Sequence, residues 1–464
     1  PRDAGVPLVY RPMSMASYVI DHAFWGMEPA GYHATNVGLH VLSALMVTLV
    51  AARWFPASRW APVVAGALFA VHPTFVNVVP FISRRQDLLA TVFALIALLL
   101  ALQRLEGTVG NRRLTAGGSS AGFYLAALLS KETAVVLLAP LSLVAWHQTK
   151  VSSGSGRRVL AAAQALCWHL GFTLLWFVTR WFVLDGLGGY SHAPVLGWAG
   201  GYPQAALAVS ARYTGHLLWP AAILRDAFAW SLTAFLVGLS LLAGCTVLSV
   251  GASGQARRWF ADWVRSPAVN GCLAWIAAGG ALLVGTMTFA PRTSYLFTVP
   301  AVLLVGDLAS RCLDHAGPPS GARKGSLWSS RIPTMVFLSI LLASSVALTW
   351  TAHPSLASRA KYNDAVLEAV TPLVAEQAPD GTVTVLNYAP PHVGPHPLSI
   401  LENEGRLEGY SIQAWVRATA VGHPVVAVTL VDGTPLDRLP REVMVSPTSG
   451  PDVTTLRIQA AQET

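Results

Sequence analysis

The chain is a succession of apolar stretches, each close to the length of one bilayer crossing, and that pattern confines the fold. In hydrocarbon every backbone N–H and C=O must find a partner inside the protein, so spans of this composition form helices packed side by side. Hydrophobic residues make up 53% of the 464 and charged residues only 12%, about half the roughly 25% charged of soluble domains. An all-α polytopic membrane protein is predicted. Two polar islands interrupt the apolar runs: Ser130-Lys131-Glu132, and residues 72–87 from His72 to Asp87. A charge at the bilayer centre costs about 2.5–3.5 kcal/mol even on the lenient insertion scale, so such islands point to function by default.

Basic residues set the orientation. Five clusters hold 15 of the 24 Lys and Arg before residue 352: Arg53/Arg59, Arg104/Arg112/Arg113, Lys150/Arg157/Arg158, Arg257/Arg258/Arg265 and Arg311/Arg323/Lys324/Arg331. Loops rich in Lys and Arg stay in the cytoplasm, so an even number of crossings must join each consecutive pair. Residues 32–51 then run inward, 60–71 and 87–103 make the next pair, and 121–129 and 133–146 turn at Ser130-Lys131-Glu132. Residues 160–184 cross outward, 204–224 lie at the outer interface, and 230–250 return. Residues 270–288, 295–308 and 332–350 complete about ten crossings, with both ends outside. Several pieces fall short of the roughly 20 residues of a full span. Short helices are tolerated where their ends meet protein or a watery cavity, which predicts a cavity on the outer side.

From residue 352 the composition becomes that of a soluble domain with 7 basic and 12 acidic residues, against 24 and 11 in the remainder. An acidic tail on a basic membrane part fits an outer location and gives no reason to expect nucleic acid. Residues 382–387 and 425–431 read as strands and 410–420 as an amphipathic helix, so residues 352–464 are predicted to form a small α/β domain after a transmembrane domain at 1–351. The four cysteines (Cys167, Cys245, Cys272, Cys312) show no metal or redox spacing, and no disulfide is expected.

This topology collects Arg, Lys and carboxylate side chains on one face, among them Arg11, Asp21, His33, His72, Arg84, Arg85, Asp87, Lys131, Glu132, Arg180 and Arg292. Cations at several helix ends suit an anion at headgroup level, such as a phosphate, and carboxylates beside them suit a base or a metal. Structural roles compete: Arg84, Arg85 and Lys131 would also anchor helix ends by snorkelling. Asp87 would also favour the first turn of its helix, and His40 on an apolar helix reads as structural. By themselves these residues define an outward-facing membrane enzyme or transporter with an anionic ligand.

The motifs go further. Tyr10-Arg11-Pro12 with Gly31-Tyr32-His33-Ala34-Thr35-Asn36 and His40 resembles the YRP … GYHxTNxxxH signature of membrane-embedded GT-C glycosyltransferases, in particular the transmembrane and tetratricopeptide-containing protein O-mannosyltransferases and their bacterial relatives. His72-Pro73 through Asn77, Arg85, Asp87 and Ala90 is similar to their HPxxxExVxxIxGRxDxLA, and Leu128-Leu129-Ser130-Lys131-Glu132-Thr133 matches LLSKET. Arg212-Tyr213 with Pro220 resembles RYxxxLLxP, and Arg292 with Tyr295 resembles RYxYLP.

The resemblance implies a GT-C-like transmembrane bundle in a bacterial inner membrane, with its working face and C-terminal domain periplasmic. It implies an inverting transfer of a mannose-like hexose from a polyprenyl-phosphate donor to a hydroxyl of a protein or glycan acceptor, with or without a divalent metal. Carried over by motif, Arg11, His33, His72, Arg85, Asp87, Lys131, Glu132 and Arg292 would form the donor site. The family's acidic motif precedes the YRP element, and this sequence begins at Pro1 without Met, so the chain is expected to be a fragment whose base lies upstream, with Asp3 as the substitute within it. Asn77 replaces the family's Glu, Arg84 replaces Gly, and the C-terminal repeats are absent. A flippase-like transporter of a lipid-linked anion and an inactive scaffold are the alternatives. A transporter should show two related halves, and the sequence shows no such symmetry.

Overall fold

The computed structural model describes residues 9–103, 112–148, 155–186, 261–286, 293–314 and 327–375, a few positions between 206 and 217, and four strands. The chain divides into two compact units, Pro7–Thr349 and one containing Trp350–Thr464.

In the first unit the described helices are α1 (Pro12–Trp25), α2 (Pro29–Trp54), α3 (Ala61–Ala70), α4 (Arg85–Gln103), α5 (Arg112–Ser130), α6 (Leu138–Gln148), α7 (Ser155–Leu184), α8 (Pro267–Thr286) and α9 (Ser294–Asp314). A tenth, α10 (Leu327–Ala375), runs on past Thr349. Among the described residues five helices are long and apolar enough to cross a membrane, and three shorter apolar ones lie at 61–77, 132–147 and 334–347. Side-chain exposure is inverted relative to a soluble bundle. Val37, Val41, Leu45 and Leu49, spaced four apart on α2, are exposed, as are Leu170, Leu174, Phe177 and Trp181 on α7. Such apolar stripes face lipid, and the protein is a multi-pass membrane protein.

The short pieces read from sequence are short in the structure. α3 ends at Ala70, and residues 73–77 and 82–84 form single 3-10 turns before α4. Pro73 occupies the first position of its turn, where a missing N–H costs nothing, and His72 caps it by accepting from Thr74 N–H through Nδ1 at 3.4 Å. This irregular backbone is not left to lipid. Asn36 on α2 donates from Nδ2 to the carbonyls of Val79 and Phe81 (3.3 and 3.0 Å), and the Tyr18 hydroxyl of α1 donates to Ile82 O at 2.7 Å. α5 ends at Ser130, Lys131 is extended, and a 3-10 turn over Glu132–Leu137 leads into α6. α5 begins earlier than the apolar run 121–129 suggests. Ser120 donates to Ala97 O at 2.8 Å, so this small polar residue lets α4 and α5 approach closely.

The core gathers around an aromatic knot of Phe69, Phe75 and Tyr295, with centroids 4.4–5.4 Å apart. His40 joins it and is structural. Its Nε2–H donates to Ala70 O at 3.0 Å, which leaves Nδ1 to accept from the Tyr295 hydroxyl at 2.8 Å. Near the C-terminal end of α9, the buried Asp307 carboxylate accepts from Ser58 Oγ, Trp263 Nε1 (2.8 Å) and Arg311 Nε (2.9 Å), joining the α2–α3 turn to α9.

Within the second unit, β1 (Thr382–Tyr388), β2 (Ala427–Asp432), β3 (Val443–Thr448) and β4 (Val453–Ala460) form one sheet in the order β2-β1-β4-β3. β1 is parallel to both neighbours, and β3 and β4 pair antiparallel. The sequence-predicted strands at 382–387 and 425–431 overlap β1 and β2, and the structure adds β3 and β4. The helix expected at 410–420 and the segments 204–224 and 230–250 lie wholly or mostly outside the described residues.

Candidate anion site at one end of the bundle

α1 is the element that organises the site. Gly26 ends it at φ 57°, a left-handed conformation that favours glycine. Glu28 and Pro29 then start α2, with the Glu28 carboxylate accepting from Ala30 N–H. The two helices approach so closely that a Cβ on Gly31 would lie 2.2 Å from Trp25 Cγ. α1 is thereby laid against α2, α4 and α5, and three ion pairs form along it and beside it.

The first is deepest. Arg85 is 0% exposed, and its NH1 lies 2.5 Å from Asp21 Oδ2. Its Nε donates to Asn36 Oδ1 (2.9 Å), NH2 to Tyr32 O (2.9 Å) and NH1 to Ser17 O (3.4 Å). The guanidinium carbon lies 4.8 Å from the Tyr18 ring centre and 5.7 Å from that of Tyr32. Thr35 completes the arrangement by donating to Asp21 Oδ1 at 3.0 Å. With its donors committed in this way, Arg85 ties α1, α2 and α4 together and does not face a cavity.

The second pair joins Lys131 Nζ to Asp87 Oδ1, both buried. Asp87 Oδ2 has no hydrogen-bond partner among the described residues. Asp87 sits in the first turn of α4, where the helix dipole favours an anion.

The third pair is more open. Arg11, immediately before α1, grips Glu132 in a bidentate fork: Nε to Oε2 at 3.1 Å and NH2 to Oε1 at 2.6 Å. The Arg11 and Glu132 side chains are 13% and 31% exposed. Burial pushes the Glu132 carboxyl up, but the Arg11 guanidinium, its hydrogen bonds and neighbouring Lys131 overcome this and hold it near 2, well below the ordinary 4.5. From α7, Arg180 NH1 stands 3.9 Å from the same Oε2, with its guanidinium 5.5 Å from the Trp176 ring centre.

The sequence-predicted residues separate accordingly. Arg11, Lys131, Glu132 and Asp87 come together, Arg85 is a packed staple beside them, and His72 is buried as a cap. His33 is exposed on α2 and belongs to none of the three pairs. Asp3 and Arg292 lie outside the described residues. Asp21 and Arg180, noted only as residues of the same face, and Asn36, noted only within its motif, are integral to the network. The i,i+4 spacing of Tyr32 and Asn36 within the GYHATN motif was the available signal, since it puts both on one face of α2. Among the described residues no three His, Cys, Asp or Glu side chains converge as metal ligands.

α5 runs from Arg112 to Ser130, next to Lys131, roughly 27 Å at about 1.5 Å per residue, close to the roughly 30 Å of a bilayer core. On α7, Arg157 and Arg180 are separated by roughly 34 Å on the same rise. The charged cluster and the basic residues Arg112 and Arg157 therefore occupy opposite ends of these helices.

Comparison with known proteins agrees with the motif resemblance. The chain is 38% identical over 141 residues to protein O-mannosyl-transferase Tmtc1 of Drosophila melanogaster, covering 29% of this chain and 16% of that protein. It is 34% identical over 139 residues to Tmtc2 of the same organism (29% and 15%), and 31% over 160 residues to TMTC1 of Mus musculus (32% and 17%). The chain thus spans about a sixth of the length of the curated relatives it matches. No protein-family model matches it. Crystal structures of ArnT from Cupriavidus metallidurans, with undecaprenyl phosphate and in the apo state, superpose with a TM-score of 0.42 at 16% and 13% identity. They cover 89% and 90% of this chain, and each alignment spans 79% of the ArnT chain. The chain is a multi-pass membrane protein resembling the transmembrane O-mannosyltransferases.

Proposed function

We propose that the protein is a GT-C-type membrane glycosyltransferase that moves a mannose-like hexose from a polyprenyl-phosphate donor to an acceptor hydroxyl on a protein or glycan. One observation carries the reading. Arg11, Lys131 and Arg180 converge with Asp87 and Glu132 at a single end of an apolar bundle, opposite the ends of α5 and α7 that carry Arg112 and Arg157. A lipid phosphate needs its tail in the bilayer, its charge among guanidinium and ammonium groups, and its sugar in water. This end offers all three.

The positive-inside bias supports an extracytoplasmic location for that end, which the family resemblance would make the periplasm of an inner membrane. Residues 352–464 belong there too, as a small α/β domain contacting acceptor or partner. In the reaction the acceptor oxygen attacks the anomeric carbon and the C–O bond to the lipid phosphate breaks with inversion. Arg11, Lys131 and Arg180 stabilise the charge gathering on the departing phosphate. The acceptor proton passes to a carboxylate of the segment before α1, where this sequence offers Asp3. Arg85 acts at one remove, holding α1 so that Arg11 reaches the site, and His72 fixes the turn that leads to α4.

The test is transfer of radiolabelled mannose from polyprenyl-phosphate mannose by the protein in lipid nanodiscs, with acceptor peptides and glycans offered together. Donor-dependent transfer or hydrolysis is expected. The absence of both with every common polyprenyl-phosphate sugar refutes the enzyme reading and favours a carrier or scaffold.

A further inference from the structure

We propose that Glu132 is a built-in counter-ion that exchanges with the phosphate monoester of the departing lipid on the Arg11–Arg180 pair, so that its return to the arginines drives the product out. This rests on reading the cluster as a phosphate site.

The argument begins with access. Of the three close ion pairs at this end of the bundle, Asp21–Arg85 and Asp87–Lys131 are buried, whereas Glu132–Arg11 is partly open, at 31% and 13%. An incoming anion therefore meets the third pair first. Chemistry points the same way. Arg11 presents two parallel N–H donors to two oxygens of one carboxylate, a fork that fits two oxygens of a phosphate equally well. Arg180 approaches the same Oε2 but stands at 3.9 Å, beyond hydrogen-bond reach of a flat carboxylate with two oxygens. A tetrahedral phosphate has a third oxygen to offer it.

Charge favours the exchange in both directions. Two guanidiniums face the Glu132 carboxylate, so its withdrawal removes a negative charge that both of them meet. An anion that enters as Glu132 leaves restores that charge. The donor is a phosphodiester with a single negative charge, whereas the lipid monophosphate left after transfer carries about −1.5 to −2 at neutral pH. The arginine pair therefore gains most when the monoester forms, the step that needs charge stabilisation. That same gain would trap the product unless a tethered competitor were waiting. Glu132 is such a competitor, since its backbone holds it within reach at high local concentration.

The experiment is equilibrium binding of radiolabelled geranyl phosphate to the full chain in uncharged lipid nanodiscs, with inorganic phosphate as a parallel arm. Glu132→Gln is expected to bind geranyl phosphate about tenfold more tightly than wild type, in line with the strength of a charge-assisted pair. Arg180→Ala is expected to lose at least tenfold in either background. A gain limited to geranyl phosphate identifies the lipid product as the exchanging anion, and an equal gain for inorganic phosphate identifies the phosphate group alone and overturns the lipid assignment.

Affinity in Glu132→Gln equal to or below wild type overturns the exchange, as does unchanged affinity in Arg180→Ala. Should Glu132→Gln not fold, Glu132→Asp keeps the charge but shortens the reach of the fork. It must then bind at least threefold more tightly, and equal affinity overturns the proposal. Binding that behaves as stated in a protein without sugar transfer leaves the exchange intact and refutes the enzyme reading. Transfer with unaltered Glu132→Gln affinity does the reverse.

Discussion

Lys131→Met isolates the energetics of the site's most enclosed lysine. Lys131 Nζ meets Asp87 Oδ1 where both side chains are buried, and the other Asp87 oxygen has no described partner. Two unit charges about 4 Å apart at an effective dielectric constant near 20 attract by about 4 kcal/mol. Removing one partner of such a pair strands the other in a dry setting, and losses of about 3–5 kcal/mol are typical. Lys131→Met should therefore destabilise the protein by about 3–5 kcal/mol, and Asp87→Leu by a similar amount, because an unpaired buried charge remains. Lys131→Met with Asp87→Leu removes both charges and should fall within about 1–2 kcal/mol of wild type. The assay is reversible unfolding in mixed micelles titrated with denaturing detergent, run on all four members of the double-mutant cycle. Two single variants each within about 1 kcal/mol of wild type, or a double whose loss is the sum of both, would refute a buried, mutually dependent pair.

Three further outcomes are expected. Because Glu132 is held near pH 2 against an ordinary 4.5, its ion pair adds stability that is complete above about pH 5 and fades as pH falls toward 2. Unfolding measured from pH 6 to pH 2 should thus show an acid-dependent loss in wild type that is smaller in Glu132→Gln, and identical profiles would contradict it. Gly31→Ala forces a methyl group into Trp25 and should cost about 1–3 kcal/mol by overpacking. It should also lift α1 enough to expose Arg85 to phenylglyoxal, and unaltered Arg85 protection would show that α1 seats without that glycine. In a cysteine-free background, His33→Cys should react with an impermeant maleimide from outside while Arg59→Cys does not. The opposite pattern turns the molecule over and ends the extracytoplasmic assignment.

Much of this was legible because bilayer physics acts on composition. The apolar runs gave the helices, and their shortness at 60–71 and 133–146 gave the broken segments that the structure resolves into α3, α6 and 3-10 turns. The early start of α5 was hidden because Gly117, Gly118, Ser119 and Ser120 lower the local hydropathy, although small residues are what let α5 lie against α4. The site was half visible. Arg85 and Lys131 look alike in the sequence, a cation at a helix end, and only the fold shows that Asp21, Asn36 and two backbone carbonyls occupy the former. Arg180 sits within an apolar helix far from every quoted motif, so only the packing of α7 brings it to Glu132. In the C-terminal unit β1 and β2 alternate clearly. β3 and β4 flank a sequence containing Gly450 and Pro451, but their own runs mix Ser, Thr and Arg with apolar residues and so lack a clean strand pattern.

α1 is clasped at both extremities. Arg11 before its first turn is held by Glu132, and Asp21 in its second half is held by Arg85. Tilting the helix as a rigid rod would rupture two salt links together. Rearrangement at this end is therefore expected in side chains such as those of Arg11 and Glu132, with the rod between the two links held in place.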